Sequence, residues 1–431
     1  MNLRTDAFRI KLANREKTLV SSSLTIIIEW YDFALYGYLA PVIAVLFFPS
    51  DNRLTSLLST FGVFALGFLM RPIGAVLFGH IGDRVGRKKS LILAVILMAI
   101  STTFIGLLPT YNKIGFFAPA LLTLLKLFQG ISVGGERSSS IPFLVEHAHP
   151  SRRGFFGSIA LSSTSAGILL ASAVVAIISS SLSQDQLTAW GWRIPFLLGI
   201  VAGAVVLYFK KTTEESELFT SLADSGDVSK SPISEAISHY WREILTTMGA
   251  TLVVAVGFYM IFVYLTTYLV TESQIPFSSA LRLNTFSMFV LMLMIPIMGI
   301  ISDHIGRRKL LIAGSVGVGI ISYGLFIIFS HGRAIYVLFA QIFFAIVYSM
   351  IIGPFAATVV EHFPTRVRMS GMSLGFGISF AVFGGTTPLI GTFLVKLTGN
   401  NMSPSFYLIT CALISLFIFL KIRETYKETL K

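Results

Sequence analysis

The stretch IIIEWYDFALYGYLAP, residues 26–41, decides how the rest of the chain is read. It is apolar at most positions yet carries two carboxylates, Glu29 and Asp32, three residues apart. At the centre of a membrane-crossing helix each ionised carboxylate costs about 2–3 kcal/mol or more. Thr25, Glu29, Asp32 and Tyr36 are spaced four, three and four, so they share one helical face. A charged face on an apolar helix points into a bundle or a water-filled cavity. Burial there favours the neutral, protonated carboxyl, which can hold a proton and release it when the site opens. Glu29 and Asp32 are therefore candidate proton carriers. The alternative is a structural ion pair with a neighbouring cation.

The surrounding composition agrees with a membrane setting. Of 431 residues, 54% are hydrophobic and only 13% charged, against about 25% charged in soluble domains. Apolar runs long enough to cross about 30 Å of hydrocarbon fall near 19–48, 55–80, 90–109, 116–140, 154–181, 193–209, 244–270, 278–301, 310–330, 334–361, 370–396 and 404–421. The predicted fold is an all-α membrane protein of twelve transmembrane helices. The N-terminal segment is polar and basic without a cleavage pattern, so it reads as a cytoplasmic tail and not a signal peptide. With that end inside, 24 of the 33 Lys and Arg fall on the cytoplasmic side and six on or near the other; Arg71, Lys126 and Arg137 lie within spans. This bias sets both termini in the cytoplasm and accounts for the net charge of +12 without nucleic acid. The expected organisation is a tail at 1–18, a six-helix bundle at 19–209, a cytoplasmic linker at 210–243, a second bundle at 244–421 and a tail at 422–431.

The single cysteine, Cys411, excludes an intramolecular disulfide and a Cys-based metal site. No His/Cys cluster suggests a metal, and no Walker motif suggests ATP. Neither cofactor nor enzymatic activity is expected.

The halves echo each other. GHIGDRVGRKK at 79–89 matches GIISDHIGRRK at 299–309, pairing Asp83 with Asp303 and Arg87 with Arg307 at an offset of 220. EHAHPSRRG at 146–154 echoes EHFPTRVRMSG at 361–371. Two loops in the same order argue for parallel six-span repeats, with a substrate site near mid-membrane where they meet.

These loops resemble the major facilitator superfamily: Gly79 to Lys88 resembles its loop signature and Lys126-Leu-Phe-Gln129-Gly130 its fourth-span motif. Glu29-Trp-Tyr-Asp-Phe33, Arg71-Pro-Ile-Gly74, Gly134-Gly-Glu136 and Gly191-Trp-Arg-Ile-Pro-Phe196 resemble, more narrowly, the metabolite:proton symporters. That family includes proline/glycine betaine, α-ketoglutarate, shikimate and citrate carriers. The resemblance implies a bacterial inner-membrane symporter, driven by the proton gradient and acting as a monomer, that imports a small polar metabolite. A proline- or betaine-type zwitterion is the leading substrate and an organic acid the alternative; a transport-derived sensor is a further one. The resemblance also gives Asp83, Arg84 and Arg87 a role in closing the cytoplasmic side, with Asp303 and Arg307 as repeat counterparts. This chain departs from the family in having Lys126 where Arg is usual.

On the fourth span Lys126, Gln129, Glu136 and Arg137 fall in one helical arc. Glu136 joins the candidate proton carriers. Tyr36, Gln129 and Arg137 are candidate substrate contacts, since a guanidinium fork suits a carboxylate; alternatively Arg137 neutralises a neighbouring carboxylate. Arg71 and Lys126 are expected charge partners. At the repeat offset Lys126, Glu136 and Arg137 become Gln341, Ile351 and Ile352, so proton chemistry is expected in the first half. Phe258, Tyr259 and Tyr264, with Phe262, are expected to form an aromatic wall in the second, suited to a quaternary ammonium.

Overall fold

The computed structural model describes residues 23–24, 26–85, 87–134, 141, 145, 148–212, 232–364, 367–428 and 430. Among them, nine helices are long and apolar enough to span a membrane, and two bent pairs add one span each. The remaining predicted run holds a shorter apolar helix, Ile92–Leu107. In lipid only intrasegment hydrogen bonding satisfies a lone apolar segment, so each run closes into a helix.

We number the spans α1 (Ile26–Tyr38 with Ala40–Phe47), α2 (Arg53–Leu69 continuing as Arg71–Val85), α3 (Arg87–Leu107), α4 (Phe117–Gly134), α5 (Arg153–Ser181) and α6 (Arg193–Thr212). The second half comprises α7 (Trp241–Thr271), α8 (Phe277–Ile305), α9 (Arg307–Ser330), α10 (Ala334–His362), α11 (Ser370–Thr398) and α12 (Ser403–Lys421). Of the stretch expected as a linker, residues 213–231 lie outside the described ones, and Pro232–His239 forms a short helix before α7.

Helix α1 bends by 59° after Tyr38. Pro41 has no N–H to donate and its ring opposes the carbonyl four residues back, at Gly37. The bend brings Gly37 against α7, where a Cβ would meet Val263 Cγ1 at 2.7 Å. Helix α7 is the most enclosed of the long spans, with 89% of its apolar window buried. It carries a π-helical turn at Met260–Tyr264, which takes a carbonyl out of the regular ladder.

The halves meet where α5 packs on α8 and α10, and where α2 packs on α11. Within the first half, α2 and α4 touch backbone to backbone. A Cβ on Gly130 would lie 1.9 Å from the Gly67 carbonyl oxygen, and one on Gly134 2.0 Å from that of Arg71. The glycines of the fourth-span motif therefore set the distance between the helices that carry Arg71 and Lys126.

Candidate functional site

Four polar side chains on α1, α3 and α4 form a chain inside the first half. The Lys126 ammonium donates to Gln129 Oε1. Gln129 Nε2 donates to Thr102 Oγ1 at 2.8 Å. Thr102 in turn lies beside the Asp32 carboxylate, both within 3.3 Å of where a Cβ on Gly199 would stand. Lys126, Gln129 and Thr102 are 0% exposed and Asp32 is 2% exposed. Asp32 Oδ1 has no hydrogen-bond partner. The space beside it is kept open by Gly199 of α6, where a Cβ would stand 3.2 Å from that oxygen. A buried carboxylate with an oxygen that accepts no hydrogen bond is a proton acceptor in a place where an ionised group is otherwise costly.

Both described cations of this region lie over rings. Lys126 Nζ is 4.6 Å from the Phe33 ring centre, 4.7 Å from Tyr36 and 5.8 Å from Phe64. The Arg71 guanidinium is 3.9 Å from the Phe68 ring centre, 4.3 Å from Phe33 and 5.6 Å from Trp30. Phe33 thus lies within cation–π reach of both Arg71 and Lys126. The aromatic surface continues into the second half through Tyr259, which packs edge-on against Phe68 at 5.3 Å and against Phe64 at 6.2 Å.

The other singled-out residues sort by place. Glu29 is buried on α1. Tyr36 donates its hydroxyl to the Thr60 carbonyl. Phe258 packs on Tyr259 and Phe262, and Phe262 turns away from the first half onto Phe344 and Tyr348. Tyr264 meets Phe61 of α2. Glu136 and Arg137 lie outside the described residues, as do the side chains of Asp83, Arg84 and Arg87. Thr102 and the rings Phe33, Phe64 and Phe68 were not singled out from sequence. Neutral and apolar residues in an apolar run carry no cost that would mark them.

Contacts between the halves close both ends of this site. On one side Tyr38 donates to the carbonyl of Phe262, in the π-helical turn, at 2.8 Å. Asn284 of α8 donates to Tyr38 Oη at 3.0 Å, and Lys396 reaches Thr55 at 2.9 Å. On the other, basic side, Asp303 accepts from the backbone N–H of Gly154 and Phe155 at 2.8 and 2.9 Å. These are free donors of the first turn of α5, where the helix dipole favours an anion. Arg307 holds Asp303 at 2.7 Å and Glu361 at 3.2 Å.

The family model for sugar (and other) transporters matches the chain over residues 18–231 and 217–431. The chain belongs to this family. The proline/betaine transporter of Escherichia coli K12 is 32% identical over 424 residues, which cover 96% of this chain and 85% of that one. A glycine betaine/proline/ectoine/pipecolic acid transporter of Dickeya dadantii is 32% identical, covering 96% and 84%. A putative proline/betaine transporter of Staphylococcus aureus is 34% identical over 409 residues, covering 94% and 87%. Among solved structures, a D-xylose–proton symporter shares the fold with a TM-score of 0.77 at 20% identity, covering 96% of this chain and 99% of that one. An inward-open xylose transporter of Escherichia coli gives 0.73 at 19%, covering 96% and 97%. The major facilitator membership expected from the loops holds, and the chain is a multi-pass membrane transporter rather than an enzyme.

Proposed function

We propose that this transporter imports a small zwitterion of the proline or glycine betaine type together with protons. The buried chain from Lys126 to Asp32 is the observation that carries the reading. It gives the first half a carboxylate that can take a proton and a cation whose hydrogen bonding responds when it does. The substrate class follows the names of the relatives. Asp32 acts as the coupling site, and Glu29 and Glu136 are further acidic groups of the first half. Tyr36, Gln129, Arg137, Phe258, Tyr259 and Tyr264 remain the candidate substrate contacts. Asp303 and Arg307, with Asp83, Arg84 and Arg87 as repeat counterparts, form the cytoplasmic gate. The chain sits in a bacterial inner membrane with both termini inside, works as a monomer and uses the proton gradient in place of a cofactor.

Uptake of radiolabelled substrate into proteoliposomes with an acid exterior tests this. Accumulation of proline or glycine betaine that a protonophore abolishes is the expected result. Accumulation of α-ketoglutarate with no competition from either zwitterion would turn the assignment to an organic acid. Binding without accumulation would make the chain a sensor.

A further inference from the structure

Three ring faces, on Phe33, Tyr36 and Phe64, converge on one ammonium, and that ammonium is the protein's own Lys126. Tyr36 and Phe64 are nearly parallel, at 11° and 6.1 Å between centres, and the ammonium lies to one side of the pair, within reach of both. Of the three N–H donors of Lys126, one goes to Gln129, and three ring centres lie within 5.8 Å of the ammonium. A lysine satisfied mainly by ring faces is held weakly for a buried cation. Its tip rides on a flexible four-carbon stem, so it can leave without moving a helix. The rings cannot: all three are buried, and Phe33 and Phe64 are packed on Phe68.

We infer that Phe33, Tyr36 and Phe64 form the substrate's ammonium cage and that Lys126 is its resident occupant, displaced when substrate binds. This rests on the zwitterion reading above and adds the atoms that would recognise the substrate. The substrate's substituted ammonium takes the position over the rings. Lys126 Nζ, withdrawn, meets the substrate's own carboxylate. One ligand therefore refills the cage and gives the displaced cation an anion, whereas a cation alone leaves Lys126 unpaired and an anion alone leaves the cage empty. Withdrawal also breaks the Lys126–Gln129 bond, the first link of the chain that ends on Asp32. Binding at the rings is thereby felt at the carboxylate.

Equilibrium binding to purified full-length protein tests this with three ligands of one shape. These are glycine betaine, its uncharged-head analogue 3,3-dimethylbutanoate, and choline, which lacks the carboxylate. Against the wild type, betaine is expected to bind about tenfold or more tightly than either, within the range of a desolvated cation–π contact. Equal binding of 3,3-dimethylbutanoate would overturn the cage. Lys126→Met empties the cage, so choline is expected to bind several-fold more tightly than to the wild type while the preference for betaine over choline collapses. Unchanged choline binding in that variant would overturn the resident role. Phe64→Leu keeps the question decidable should Lys126→Met fold poorly. It is expected to weaken betaine several-fold and leave 3,3-dimethylbutanoate unchanged; equal losses for both would count against the cage. If the wild type binds no betaine, the zwitterion reading fails, and the choline comparison between wild type and Lys126→Met still decides the cage.

Discussion

Asp32 is tolerable inside an apolar helix because Thr102 lies beside it and Lys126 lies at the far end of the same polar chain. The energetic weight of that chain rests on Thr102, a neutral residue between Gln129 and Asp32. Thr102→Val keeps the shape and removes the hydroxyl, leaving Gln129 without its acceptor and Asp32 with a methyl in place of its polar neighbour. Each lost link in a buried site costs about 1–3 kcal/mol. The expected outcome is a drop of about tenfold or more in proton-driven uptake, with Thr102→Ser restoring most of it; initial-rate assays in proteoliposomes read both. Equal rates for wild type and Thr102→Val would remove Thr102 from the relay. At this scale the sequence was half informative. Glu29, Asp32, Arg71 and Lys126 declare themselves by the cost of charge in an apolar run. Thr102 does not, because β-branched hydroxyl residues bond their own helix backbone and pass unmarked. The rings around Lys126 were equally silent among 37 phenylalanines.

The site's geometry comes from how closely α2 and α4 approach. Gly130 is where they touch: any side chain there would drive into the Gly67 carbonyl. Gly130→Val is expected to destabilise the folded bundle by about 1–3 kcal/mol or more, the cost of forcing atoms into a packed interface. A fall in the thermal midpoint of the detergent-solubilised protein measures it. An unchanged midpoint would mean the helices are not held at this distance. Hydropathy located the twelve spans because the requirement for about 20 apolar residues is a strong constraint. It did not reveal how α1 bends. Pro41 lies within the apolar run at 19–48, and only the fold shows that the helix breaks there and resumes at a new angle, with Gly37 seated on Val263. The π-helical turn in α7 is also invisible in sequence, since MIFVY continues the apolar pattern without interruption.

At the scale of the molecule, the two halves are joined at both faces around a core that carries Glu29, Asp32, Arg71 and Lys126 on its first-half side. Tyr38, Asn284 and Lys396 make contacts across one end, and Asp303, itself held by Arg307, makes them across the other. The repeated GxxxDxxGR loops announced the second of these, since an Asp fixed beside basic residues is more than a topology anchor. The first depends on a backbone carbonyl and leaves no sequence trace. A transporter so arranged must break one set of contacts at a time, and the account makes the protonation of Asp32 the event that ties substrate movement to proton movement. Glycine betaine carries no net charge, so its import with a proton moves one positive charge inward. The most direct test is therefore the current evoked by glycine betaine across a membrane containing the purified protein, compared between wild type and Asp32→Asn. The account predicts an inward current that grows as the exterior is acidified in the wild type. In Asp32→Asn it predicts no current, although exchange of labelled for unlabelled betaine persists. A current of wild-type size in Asp32→Asn would contradict it.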